Sequence, residues 1–180
     1  MYFCLYSDHN YLDDKGIELI LKNDLDHLQH LQLKSNAFTS GAVANLMNKG
    51  LPNLRSLSLA QNRLNTTAIQ AIEKVGPFLI EMDLSSCTLR GDSLDLIKKF
   101  SLPNLQELRL DYNEFTELEM IQFVAQLETR KMRSLKKVSM RGISMGLNNY
   151  NTLVEILASK KWGYELDRPH NYEMKNAATY

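Results

Sequence analysis

The residues able to do chemistry are few and scattered. The histidines are His9, His27, His30 and His170, and the cysteines are Cys4 and Cys87. His27 and His30 straddle the start of a predicted strand, so their rings point differently, and no carboxylate or thiol completes a metal set with them. Cys4 and either His9 or His30 fall on neighbouring predicted strands. A Cys–His nucleophile also needs an orienting third group and an oxyanion hole, which an open sheet face does not supply. Cys87 falls at a repeated core position, where cysteine behaves as a small hydrophobe. The chain carries no glycine-rich phosphate loop, dinucleotide fingerprint or serine elbow. Asn65-Thr66-Thr67 matches a glycosylation sequon and is read as the start of a helix. The expectation is a protein without catalytic, metal or cofactor sites.

Composition points the same way. In 180 residues, 21 Lys+Arg balance 21 Asp+Glu, which argues against a chain-wide nucleic-acid binder. The length suits one domain with a core of its own, and two cysteines are too few for a disulfide framework. No apolar run is long enough to cross a membrane, and the first residues lack a charged leader with an apolar stretch.

The strongest signal is self-similarity. Leu28-x-x-Leu31-x-Leu33-x-x-Asn36-x-Phe38 is echoed by Leu54-x-x-Leu57-x-Leu59-x-x-Asn62-x-Leu64. Leu79-x-x-Met82-x-Leu84-x-x-Cys87-x-Leu89 and Leu105-x-x-Leu108-x-Leu110-x-x-Asn113-x-Phe115 continue it. A weaker first copy runs from Tyr2 through Leu5 and Asn10 to Leu12, and a degraded last one from Leu135 through Val138 and Ile143 to Met145. Between the Asn-type positions the steps are 26, 26, 25, 26 and 30 residues, and Leu-Pro-Asn-Leu recurs at 51–54 and 102–105.

The pattern dictates local structure. Alternating leucines make a short strand with one buried face. The asparagines turn inward and bond backbone groups freed where the chain leaves the strand, a role open to Asn10, Asn36, Asn62 and Asn113, weakly to Cys87 and not to Ile143. Ile17/Ile20, Val43/Leu46, Ile69/Ile72, Leu94/Ile97, Met120/Phe123 and Tyr150/Leu153 then form one stripe of a helix per copy. Asp14, Ser40 and Thr66 are the expected N-caps, and Gly50, Gly76, Pro52, Pro77 and Pro103 punctuate the helix ends.

These residues resemble the leucine-rich repeat superfamily, in its helix-bearing, ribonuclease-inhibitor-like branch, over roughly residues 2–160. The resemblance implies an α/β solenoid of about six repeats: a right-handed arc with parallel strands on its concave face and helices on its convex face. The alternating cysteines of the ribonuclease inhibitor are absent, and so is any diagnostic motif of the Ran-GTPase-activating proteins of the same branch. The missing cysteine-rich caps fit a cytoplasmic or nuclear setting. The expected division is a repeat domain over 1–166 and a polar tail over 167–180, with Trp162, Tyr164 and Leu166 closing the array as a partial strand or cap.

A repeat solenoid of this kind implies a protein partner at the concave face. The candidate contacts are Tyr6, His30, Gln32, Arg55, Glu81, Asp83, Glu107, Arg109, Asp111, Tyr112, Lys137 and Arg141, all at positions expected to face solvent. Glu81, Asp83, Glu107 and Asp111 make the middle of that face acidic, with Arg109 and Tyr112 of the types enriched at hot spots. From residue 130 to 161, eight Lys/Arg stand against one acid, Glu155, an end suited to an acidic partner. The function expected is a non-enzymatic interaction module or scaffold subunit of a larger assembly, binding through the concave face and the open solenoid ends. The alternative is a regulator, activator or inhibitor, of an enzyme such as a small GTPase.

Overall fold

The computed structural model describes residues 3–127 and 131–169. Strand and helix alternate along the chain: β1 (Phe3–Tyr6), α1 (Asp14–Leu21), β2 (Leu28–Gln32), α2 (Ser40–Asn48), β3 (Ser56–Ser58), α3 (Thr66–Ile72) and β4 (Glu81–Asp83). Then follow α4 (Gly91–Ile97), β5 (Glu107–Arg109), α5 (Glu117–Gln126), β6 (Lys137–Ser139), α6 (Leu147–Ser159) and β7 (Gly163–Glu165). Every strand pairs parallel with its neighbour in sequence, giving an open seven-stranded sheet in the order β1 to β7. β1 to β6 fall on the six copies of the motif. β7 is the segment of Trp162, Tyr164 and Leu166, and it extends the sheet by one more strand.

One core lies between sheet and helices. Leu31, Leu57, Met82, Leu108 and Val138 are the buried central residues of successive strands, and Leu5 is the half-buried one in β1. They meet the predicted helix stripe, of which Val43, Leu46, Ile69, Ile72, Leu94, Ile97, Met120, Phe123 and Leu153 are almost wholly buried. Only Ile20 of this stripe, on the first helix, is half-exposed, since among the described residues no repeat packs on its outer side.

The asparagine ladder forms where a preceding strand exists. Asn62 Nδ2 donates to the carbonyls of Leu33, Leu59 and Ala60 at 2.9, 2.9 and 3.2 Å, while its Oδ1 accepts from Asn36 N at 3.0 Å. Asn113 repeats this toward Leu84 and Leu110, and its Oδ1 accepts from Cys87 N and Leu89 N. Cys87 makes the weak version expected of it, its Sγ donating to Leu59 O at 3.2 Å. Asn10 departs from expectation. It is exposed and its amide donates to Ser7 Oγ, since among the described residues no earlier strand offers it a carbonyl.

The residue before each ladder position adopts a left-handed conformation: His9, Ser35, Gln61, Ser86, Tyr112 and Gly142. This reversal swings the ladder side chain inward. Glycine is required only at Gly142, where an added Cβ would stand 2.5 Å from Tyr112 Cδ1 and 2.8 Å from its Cα.

The helix caps sit one residue earlier than expected. Asp13, Thr39 and Asn65 are the N-caps, each accepting from backbone amides of its own first turn. Asn65 of the sequon is thus a helix cap. The displaced candidates tie one repeat to the next. Asp14 accepts from Thr39 N at 2.7 Å and from Thr39 Oγ1 at 2.8 Å, and Ser40 Oγ accepts from Asn65 N at 2.9 Å. The two Leu-Pro-Asn-Leu turns are also cross-repeat ties. Asn53 Nδ2 donates to Asp26 O at 2.6 Å, and Asn104 Nδ2 to Pro77 O at 2.8 Å.

Candidate protein-binding face

Parallel register lines up the outward residues of the strands in two rows. One row runs Cys4, His30, Ser56, Glu81, Glu107, Lys137, Gly163. The other runs Tyr6, Gln32, Ser58, Asp83, Arg109, Ser139, Glu165. Eight of the twelve candidate residues fall in these rows, so the repeat phase delivers them to one surface. Tyr112 lies just past β5, exposed, and Arg141 just past β6.

One expectation of exposure fails among the candidates. Asp111 is 3% exposed and its carboxylate is turned into the protein: Oδ1 accepts from Ser139 Oγ at 2.6 Å and Arg141 N at 2.7 Å, Oδ2 from Arg141 Nη2 at 3.0 Å. Ser56, Ser58 and Ser139 are buried as well, because they are too short to rise above the long side chains flanking them. Arg55 precedes β3 and its guanidinium bends back to the carbonyls of Leu54 and Pro52.

The face divides by charge. Toward β7 the acids and bases neutralise one another. Glu107 accepts from Arg109 Nε at 2.7 Å and lies 3.6 Å from Lys137 Nζ; Lys137 also pairs with Glu165, and Arg141 with Asp111 and Glu165. These bonds hold Arg109, Lys137 and Arg141 protonated beyond their ordinary ranges, through Glu107, Glu165 and Asp111 respectively. The Lys137 ammonium keeps the Glu165 carboxyl below its usual range. Glu165 was missed in the sequence: the expected partial strand or cap at Trp162, Tyr164 and Leu166 forms as β7 and places residue 165 in the outer row, but without a Leu-x-Leu motif the outward register of that strand was not read.

The same pairing takes up part of the basic end. Lys137 pairs with Glu107 of β5 and Glu165 of β7, and Arg141 with Asp111, just past β5, and with Glu165. Lys136 donates to Gln106 Oε1, and Lys160 donates to Leu127 O while lying 5.3 Å from the Trp162 ring centre. Linear charge counting overlooked Glu107, Asp111 and Glu165, which lie outside the window but adjacent in space. Arg130 lies outside the described residues.

In the middle of the sheet the acids are less closely paired: Asp83 faces Arg109 in register and helps hold it protonated, without a close ion pair. Neither Glu81 nor Asp83 forms an ion pair among the described residues. Glu81 accepts from Ser56 Oγ at 3.1 Å, Ser56 from Gln32 Nε2 at 3.3 Å, and Asp83 from Ser85 N at 3.0 Å. A shallow depression of about 220 Å³ lies here, lined by Gln32, Ser56, Ser58, Glu81, Asp83 and Arg109 among others. Chemically it offers carboxylate acceptors and hydroxyls, suited to Lys, Arg or backbone amide donors. No group of His, Cys, Asp and Glu among the described residues is arranged to hold a metal. None of the described helices is long and apolar enough to cross a membrane.

An open parallel sheet built from one repeating strand–helix unit, with an asparagine ladder, defines a leucine-rich-repeat-like α/β solenoid. The chain is similar to Ran GTPase-activating protein 1 of Saccharomyces cerevisiae, with 28% identity over 156 residues, 80% of this chain. It spans 38% of the length of that relative. No family model matches the chain.

Proposed function

We propose that the chain is a non-enzymatic protein-binding module, of the ribonuclease-inhibitor-like leucine-rich repeat kind, whose open sheet face receives a protein partner. The observation that carries this is the contrast within the face. Glu107, Asp111 and Glu165 are ion-paired toward β7, whereas Glu81 and Asp83 border a polar depression without an ion pair among the described residues, Asp83 only facing Arg109 in register. A partner presenting Lys or Arg there supplies the missing cations, with Tyr6, His30 and Gln32 at one flank and Arg109 and Tyr112 at the other. An intracellular assembly, cytoplasmic or nuclear, is the proposed setting.

A second reading, regulation of a small GTPase, is favoured by the similarity to a Ran GTPase-activating protein. In that reading the same face meets the GTPase.

One experiment addresses both. Purified Ran loaded with GTP is mixed with the protein and with its Glu81→Lys/Asp83→Lys variant, and binding and single-turnover hydrolysis are read together. Binding or acceleration lost in the folded variant supports the face and the regulator reading. No effect on Ran removes that GTPase. Affinity capture of native complexes then reads the general proposal, which fails if both forms retain the same proteins.

A further inference from the structure

The depression on the sheet face exists because β3 carries short side chains. Ser56 and Ser58 stand in the two outward rows, with Gln32 on one side and Glu81, Asp83 and Arg109 on the other. The lining holds three carboxylates, Glu81, Asp83 and Glu107, against one guanidinium, and that guanidinium is held on Glu107, Arg109 Nε donating to Oε1 at 2.7 Å.

Ser58 is the unusual member of the lining. It is 5% exposed, yet its hydroxyl forms no hydrogen bond among the described residues. A hydroxyl so deeply placed ordinarily finds a protein partner. Every described side-chain nitrogen or oxygen that is sealed from solvent has a partner, so the Ser58 hydroxyl keeps an opening to solvent, and it opens on the depression it lines. The carboxylates beside it are each half used. Glu81 Oε2 accepts from Ser56 Oγ at 3.1 Å, and Asp83 Oδ1 accepts from Ser85 N at 3.0 Å. Their other oxygens, Glu81 Oε1 and Asp83 Oδ2, accept no hydrogen bond among the described residues. Ser58 faces Asp83 in register on strands about 4.8 Å apart, and Glu81 lies two residues before Asp83 on the same side of β4. Three single acceptors from three side chains therefore border one small space.

We propose that this depression is a lysine socket, receiving the ε-ammonium of one lysine side chain of the protein partner. The inference rests on the face being protein-binding and names the group it reads. An ammonium carries three donors pointing in three directions, which suits two separate carboxylate oxygens and a hydroxyl. A guanidinium is a planar fork that pairs best with both oxygens of one carboxylate, and here one oxygen of each is already engaged. The volume of about 220 Å³ admits the tip of one side chain and no larger element. Arg109 forms part of the wall without occupying the space, because Glu107 holds it.

The probes are three blocked tripeptides, glycine–X–glycine, with X lysine, arginine or Nε-acetyl-lysine. Each is titrated into the isotope-labelled full chain and followed by amide NMR shifts. The lysine peptide is expected to shift Ser58 and Asp83 saturably, the arginine peptide to bind several-fold more weakly, and the acetylated one, without charge, not to bind. Ser58→Ala breaks no internal hydrogen bond and is expected to stay folded. It should weaken the lysine peptide about tenfold and leave the arginine peptide unchanged. Equal binding of lysine and arginine overturns the socket, as do lysine shifts centred elsewhere or Ser58→Ala binding lysine like wild type. So does the absence of saturable shifts, since the Ser58 hydroxyl then meets only water. The two readings fail apart. If Glu81→Lys/Asp83→Lys loses protein partners that wild type captures while the lysine peptide binds no better than the arginine one, the face stands and the socket falls. If both forms capture the same proteins, the face reading falls and takes the socket with it.

Discussion

Arg141 clamps the buried carboxylate of Asp111 from the neighbouring repeat, giving it a backbone amide at 2.7 Å and two guanidinium nitrogens at 3.0 and 3.3 Å. Ser139 Oγ completes the set at 2.6 Å. The repeat β6 opens has Ile143 where others carry the ladder asparagine, so this clamp takes over part of the joining role. Asp111→Ala removes the acceptor of the Arg141 amide and guanidinium and leaves the Ser139 hydroxyl only the longer contact to Glu165 Oε2 at 3.3 Å. It is expected to cost about 2–3 kcal/mol, read as a lowered urea midpoint with unchanged slope.

The asparagine ladder predicts a graded series. Asn62→Ala strips partners from several buried backbone groups and is expected to cost about 2–3 kcal/mol. Asn10→Ala, exposed and bonded only to Ser7, is expected to change stability by less than about 0.5 kcal/mol. Equal effects in chemical denaturation would show that the ladder's position in the stack does not matter.

Gly142→Ala forces a side chain into a left-handed residue at φ 86° and against Tyr112. A loss of about 1–3 kcal/mol is expected. Tyr112→Ala in the same chain should not restore it, because the Cβ would still lie 2.8 Å from the Cα of residue 112.

The Lys137–Glu165 pair gives stability a pH signature. Glu165 titrates below its ordinary 4.5 in the folded chain, so the unfolded chain binds the proton first as pH falls. Its contribution is full above 4.5 and is lost as pH drops through the folded value. Lys137 titrates above its ordinary 10.5, so its contribution is full below that and lost as pH rises through the raised value. Both side chains are more than a third exposed, 37% and 38%, so the effect is small and shrinks with salt. Urea midpoints measured against pH should flatten at the acid end in Glu165→Gln and at the alkaline end in Lys137→Met.

Burial pushes the Cys87 thiol up to about 12, which keeps it protonated and unreactive at neutral pH. Cys4 is exposed. Iodoacetamide at pH 8 is expected to label Cys4 in the folded chain and Cys87 only after unfolding. Mass spectrometry of tryptic peptides reads the two sites separately.

The sequence by itself determined the repeat unit. Leucine spacing fixed which strand residues turn inward, and helix stripes such as Ile69 and Ile72 followed from 3.6-residue periodicity. These features act within a few residues, so local pattern suffices. The two outward rows followed too, because constant phase makes parallel strands register. What escaped the sequence depends on the next repeat. Asp14 and Ser40 have the chemistry of N-caps, yet their partners lie on the following helix. Asp111 has the look of a surface acid and becomes a buried joint because Ser139 and Arg141, about 30 residues on, reach it. Asn10 has the ladder's residue type but, among the described residues, no preceding strand to bind. Lys137 and Arg141 read as part of a basic patch until Glu107, Asp111 and Glu165 come beside them in space. Only stacking brings those groups within hydrogen-bonding distance, and it is there that the ion pairs of Glu107, Asp111 and Glu165 form.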